Sequence, residues 1–241
     1  MRRAFAALAI PAAFFAGCVG ETEKYPAKGP PPSSARELYQ RDCAWCHGGD
    51  AEGTNSGPAI EGGASTHFML STGRMPIQDP GDTVERRDPA YSQETIDELT
   101  DYVSELSPGT EVPDVDIESA ELAVGAKLYA DNCASCHSST GVGGALTSGV
   151  ETPRVRHSSA VEVAEAMLTG PGEMPVFDEE VFSEEEVTAI AAYVEDLGDA
   201  EARGGHPLGW YGPVAEGALG LLVGVGAMLL LIRWIGTRAD E

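Results

Sequence analysis

Basic side chains are scarce in this sequence: 15 Lys and Arg stand against 39 Asp and Glu in 241 residues. The stretch 21–205 carries 36 acidic and 11 basic side chains. Such a surface repels nucleic acid and anionic lipid headgroups, so no nucleic-acid partner is expected, and it steers basic protein surfaces toward itself. The same charge also serves solubility, and composition does not separate the two uses. Cysteine is sparse as well. Four of five fall in two strings, Cys43-Ala-Trp-Cys46-His47 and Cys133-Ala-Ser-Cys136-His137, and the fifth is Cys18. Each half of the chain has only two of these Cys plus scattered His, short of a closed four-ligand zinc site. Neither string sits in the βαβ setting of a thioredoxin-like dithiol. Disulfides within the pairs suit an oxidising compartment but leave both adjacent histidines unexplained.

Long apolar runs number two. Met1-Arg2-Arg3 precedes a mostly apolar stretch to Val19, a signal-peptide pattern over residues 1–20. Phe15-Ala16-Gly17-Cys18 resembles a lipoprotein processing site, with Cys18 as the candidate lipidation residue. Uncleaved, the run is a span at the short end of what a bilayer needs. Either outcome puts the following chain outside the cytoplasm. The second run, Val214–Ile232, carries only Glu216 as a charge and is flanked by Trp210-Tyr211 and by Arg233, Trp234 and Arg238. This predicts one transmembrane helix over 213–235, in contact with lipid, with its basic end and the tail 236–241 in the cytoplasm.

Between the runs the chain repeats itself. A Pro-rich tether at 21–32 leads to a first domain at 33–107, an acidic linker at 108–118, a second domain at 119–199 and a connector at 200–212. Arg36–Cys43 parallels Ala126–Cys133 at an offset of 90 residues, and Ile96–Val103 parallels Val187–Val194. Ile96, Leu99, Tyr102, Val103 and Leu106 make one helical stripe; Val187, Ile190, Ala191 and Val194 make the other. Ser183 with Glu186 predicts a capping box. Such duplication argues for two copies of one mainly α fold.

Cys-x-x-Cys-His is the attachment signal for haem c. Two thiols add to the haem vinyl groups, and the next residue, His47 or His137, falls under the iron. Two strings predict two covalently bound haems c. The sixth ligand separates electron transfer from catalysis. Met75 in Thr72-Gly73-Arg74-Met75-Pro76 and Met174 in Gly172-Glu173-Met174-Pro175 follow glycine turns and precede the closing helices. A thioether there raises the reduction potential; the competing reading is a packing methionine. Met69 and Met167 are expected in the core, and His67 and His157 are expected to be ordinary polar residues. Pro58 is expected to offer its carbonyl to His47 Nδ1, whereas Gly143-Gly144-Ala145-Leu146 holds no equivalent proline.

Ser71–Pro76, Asn132–His137, Gly143–Leu146, Met167–Pro171 with Met174–Phe177, Gly212–Gly217 and Trp234-Ile235-Gly236 together resemble one family. It is the dihaem cytochrome c subunit of the actinobacterial menaquinol–cytochrome c reductase, the bcc complex. The resemblance implies two tandem class I cytochrome c-like domains plus a C-terminal transmembrane helix. It implies cytochrome b and Rieske iron–sulfur subunits as partners, and an aa3-type oxidase whose copper centre receives the electrons. It implies Cys43, Cys46, His47 and Met75 around one haem and Cys133, Cys136, His137 and Met174 around the other. The haem domains would lie on the extracytoplasmic side of the cytoplasmic membrane. This chain departs from the family's longer basic N-terminal start, having three residues there. No substrate bond chemistry is expected. The rival functions are a dihaem enzyme of the peroxidase or thiosulfate-oxidising type, and a cytochrome subunit of another dehydrogenase or oxidase.

Overall fold

Each half of the chain runs from a short opening helix into its Cys-x-x-Cys-His turn and closes with a long amphipathic helix. The computed structural model describes residues 34–146, 149–199 and 213–239. The N-terminal segment with Cys18, the tether and the connector at 200–212 lie outside them. In the first lobe, α1 (Ala35–Asp42) starts where the Ser34 side chain accepts from Glu37 N, then α2 (Ala44–His47) and α3 (Ala64–Ser71) follow. The helix α4 (Gln93–Leu106) closes the lobe, with Ser92 capping the Thr95 amide. The second lobe repeats this with α5 (Leu122–Asn132), α6 (Ala134–His137), α7 (Ala160–Thr169) and α8 (Glu184–Asp199). Between α6 and α7 it adds an antiparallel pair, β1 (Gly144–Ala145) with β2 (Glu151–Thr152).

The expected stripes are the buried ones. Ile96, Leu99, Tyr102 and Val103 join Leu38 and Tyr39 in one core cluster. Val187, Ile190, Ala191 and Val194 join Tyr129 and Met167 in the other. Each fully buried Leu, Ile or Met side chain contributes about 1.5–3 kcal/mol, so each cluster outweighs any single surface contact. In both lobes a tyrosine pair ties opening to closing helix: the Tyr39–Tyr102 and Tyr129–Tyr193 ring centroids are each 5.5 Å apart. Leu122 stays exposed. The close approach of α5 to α8 is made at Gly125, where an added Cβ would stand 1.9 Å from the Ala189 carbonyl oxygen.

Ser183 and Glu186 form the predicted reciprocal cap, Ser183 N donating to Glu186 Oε2 (3.0 Å) and Glu186 N to Ser183 Oγ (3.3 Å). A second capping box, Ser159 with Glu162, starts α7 and was not anticipated. The segment after α4 packs against the lobes rather than hanging free. Ala64 N donates to Thr110 O at 2.7 Å, and Val115 lies against the second core. The helix α9 (Pro213–Ala239) includes 21 residues, Glu216–Gly236, long and apolar enough to cross a membrane and unburied by the rest of the chain.

Candidate functional site

Both Cys-x-x-Cys-His turns are built by the same local bonds. The Cys43 amide donates to Tyr39 O at 2.8 Å and the Cys133 amide to Tyr129 O at 2.9 Å, so each opening helix delivers its first cysteine directly. The His47 and His137 amides return to the Cys43 and Cys133 carbonyls, each at 2.9 Å, which closes one tight helical turn. The chain must then reverse sharply. Gly48 takes φ +83 and Ser138 takes φ +63, a left-handed conformation unusual for serine. A buried tyrosine stabilises each reversal: Tyr39 Oη donates to Gly48 O (2.8 Å) and Tyr129 Oη to Ser138 O (2.7 Å).

The histidines are held from one side. His47 Nδ1 lies 2.8 Å from the Pro58 carbonyl oxygen, as the sequence leads one to expect. In the second lobe the partner is Pro153, whose carbonyl oxygen lies 3.1 Å from His137 Nδ1. Sequence reasoning missed this proline. It sits 16 residues past its histidine instead of 11, because the β1–β2 hairpin lies between. The neighbouring Thr carried the signal: Thr54 Oγ1 donates to Cys46 O (2.7 Å) and Thr152 Oγ1 to Cys136 O (2.5 Å). A carbonyl only accepts, so each Nδ1 carries a proton, and Nε2 is the ring nitrogen left for another partner.

The first cysteine of each string is shifted away from the thiolate. Burial, with the Asp42 charge added, pushes the Cys43 thiol up to about 12, and burial pushes Cys133 up to about 11. Reactive cysteines have the opposite shift. Met75 packs on the same core cluster as Cys43, and Met174 on the same cluster as Cys133. The glycine turns before them, Gly73 and Gly170, take φ +64 and +60. Cys43 with Met75, and Cys133 with Met174, lie on one core each, and the turn that starts at the cysteine carries the second thiol and the imidazole; the chemistry of this donor set suits haem c.

The other sulfur and imidazole groups separate from this set. Met167 is 2% exposed in the core, as expected. Met69 is half-buried and belongs to neither core cluster; its carbonyl accepts from the Met75 amide at 3.0 Å. His157 is exposed, whereas His67 is engaged with Glu165 of the other lobe. Trp45, between the first two cysteines, is 65% exposed.

Comparison with known proteins accords with this geometry. Residues 120–194 match the family profile described as "Cytochrome C oxidase, cbb3-type, subunit III". The chain is 36% identical over 217 residues to the "Cytochrome bc1 complex cytochrome c subunit" of Mycobacterium tuberculosis, covering 86% of this chain and 78% of that one. It is 34% identical over 224 residues to the protein so named in Corynebacterium diphtheriae, covering 85% and 80%. It is 25% identical over 191 residues to the "Cbb3-type cytochrome c oxidase subunit CcoP" of Azospirillum, covering 69% and 62%. The mycobacterial and corynebacterial likenesses run through both lobes and most of each relative, and on that ground the protein belongs to the family of cytochrome c subunits of cytochrome bc1 complexes.

Proposed function

We propose that this protein carries two covalently bound haems c and relays electrons from a Rieske iron–sulfur centre toward the copper centre of an aa3-type oxidase. Cytochrome b and the Rieske protein are its partners in the complex. The single observation that carries this reading is the matched pair of histidine contacts, His47 Nδ1 on Pro58 O and His137 Nδ1 on Pro153 O. They give both lobes the same ligand orientation, against a reading in which one string is idle.

Haem iron supplies a one-electron ferric–ferrous couple. The chain's residues do the rest. Cys43 and Cys46, and Cys133 and Cys136, would tether the two groups. His47 and His137 would be iron ligands, and their carbonyl partners fix the ring tautomer and increase its basicity. Met75 and Met174 would supply the thioether ligands, whose soft sulfur favours the ferrous state. No group in either lobe is required to move a substrate proton. The acidic surface favours a basic docking partner. α9 anchors the chain in the membrane, with the lobes outside the cytoplasm and the C-terminus inside; the basic residues Arg233 and Arg238 near its C-terminal end support that orientation.

The cbb3-type profile over 120–194 favours, as the second reading, a cytochrome subunit of an oxidase over a bond-making dihaem enzyme. A haem count per chain with oxidised and reduced spectra of the purified protein tests the proposal. Two haems and the near-infrared band of Met–Fe(III) ligation are expected. One haem, or a high-spin ferric spectrum, would refute it, and the subunits that co-purify separate a reductase from an oxidase.

A further inference from the structure

The equivalent helices of the two lobes, α3 and α7, pack against each other. Each runs into its own Met-Pro loop, α3 ending at Ser71 ahead of Met75 and α7 at Thr169 ahead of Met174. Side-chain links from His67 and Arg86 cross this contact, Arg86 also donating to Ser158 Oγ at 3.5 Å. His67 on α3 places Nδ1 2.5 Å from Glu165 Oε1 on α7, joining residues 98 apart in sequence. Arg86, in the loop before α4, reaches both carboxylate oxygens of Glu162 at 2.9 Å. Glu162 is also the residue that completes the capping box of α7.

We propose that the His67–Glu165 and Arg86–Glu162 links form a clamp that fixes one lobe against the other, positioning the two haem sites for electron exchange, and that the His67–Glu165 half is proton-dependent. The functional part rests on the two-haem reading above. The Glu165 side chain is 0% exposed, and its Oε2 has no hydrogen-bond partner among the described residues. The bond to His67 is therefore what compensates a buried carboxyl group, and such a group left alone is strongly destabilising. On the far side of the ring, Gln93 Nε2 lies 3.0 Å from His67 Nε2 and 2.8 Å from Asp97 Oδ1.

Carboxylates face His67 from two helices, and the Arg86 guanidinium sits on one of them, Glu162. Glu165 and Glu162 face His67 from α7, and Asp97 faces it from α4 at 3.8 Å. The hydrogen bond to Glu165 raises the His67 pKa most, the charges of Glu165, Asp97 and Glu162 add to it, and burial opposes. Burial raises the Glu165 carboxyl, with His67 opposing. Both shifts mean that the docked lobes hold a proton to higher pH than separated lobes, whose groups would return to water. Docking therefore takes up protons. The His67 share of the stabilisation is fully present below the ordinary histidine value of about 6.5 and is lost as pH rises through its raised value, while the Glu165 share starts to be lost from the ordinary carboxylate value of about 4.3.

Hydrogen exchange on the full-length holoprotein in detergent tests this, with haem counted first and rates corrected for the intrinsic effect of pH. Amides of α3 and α7 should lose about tenfold in protection between about pH 6 and about pH 9, while α8 keeps its own. The rate of electron exchange between the haems should fall along the same profile. E165Q, which keeps the shape without the charge, should remove the pH dependence, with H67N as the second variant should E165Q not mature. R86E should lower protection at both pH values, and R86K should restore it. Protection of α3 and α7 that ignores pH, or keeps its pH profile in both E165Q and H67N, would overturn the clamp. A single haem per chain would sink the two-haem reading and leave the exchange data to judge the contact between lobes.

Discussion

Removing one hydroxyl from the first lobe isolates what holds the Cys-x-x-Cys-His turn in place. Tyr39 is 0% exposed, and its Oη donates to the carbonyl of Gly48, the residue after His47, at 2.8 Å. Tyr39→Phe deletes that donor and leaves the ring edge-on to Tyr102 at 5.5 Å. Burial pushes the Tyr39 hydroxyl up to about 12, so it remains a donor across the neutral range. Gly48 is buried, and its carbonyl would lose this partner. Leaving a buried acceptor unsatisfied costs about 1–3 kcal/mol. In a lobe of this size that lowers the melting temperature by about 4–8 °C per kcal/mol. The equivalent Tyr129→Phe releases Ser138, which is only half-buried; water can replace the bond, and the cost falls to about 0.5–1.5 kcal/mol. Denaturant titration of the oxidised holoprotein by visible circular dichroism measures both, an unchanged slope showing that only stability moved. A Tyr39→Phe loss within about 0.5 kcal/mol, the range of ordinary surface changes, would refute the reasoning. So would a larger loss in Tyr129→Phe than in Tyr39→Phe.

The two methionines of the second lobe should separate cleanly. Met167→Ala, at 2% exposure, should cost about 2–5 kcal/mol in a denaturant titration while the Met–Fe(III) band survives. Met174→Ala should remove half of that band's intensity and lower one of the two midpoints in a redox titration. Gly125→Ala should destabilise by about 1–3 kcal/mol, because its Cβ would meet the Ala189 carbonyl at 1.9 Å; a neutral thermal melt would place the α5–α8 contact elsewhere. A chain ending before Pro213 should carry the same haem count per chain. It should move from the detergent phase to the aqueous phase on partitioning if the N-terminal segment is cleaved and unlipidated, and stay in the detergent phase if that segment also anchors.

Short-range chemistry was legible in the residues themselves. The Cys-x-x-Cys-His strings, the helical stripes of α4 and α8, the Ser183–Glu186 cap and the apolar run of α9 each depend on residues within a few turns of one another. Their spacing is set by helix geometry, so the spacing announces the element. The repeat offset of 90 residues located the second turn for the same reason. It failed at the histidine's partner: the β1–β2 hairpin moves the residue with the accepting carbonyl from the position equivalent to Pro58 to Pro153. An insertion changes the count of residues without moving the backbone that matters, and counting cannot see that.

Sequence by itself thus determined that the chain has two like lobes, that each carries a Cys-x-x-Cys-His string and a Met-Pro pair proposed to hold haem, and where one helix long and apolar enough to cross a membrane lies. Tertiary structure alone decided that α5 meets α8 at Gly125, that the linker packs, and that α3 and α7 face each other. It alone turned His67 from an ordinary polar residue into the partner of a buried carboxylate. The bonds along a helix are written in neighbouring residues, whereas a contact between residues 98 apart exists only once both lobes have folded and bring the two polar groups together.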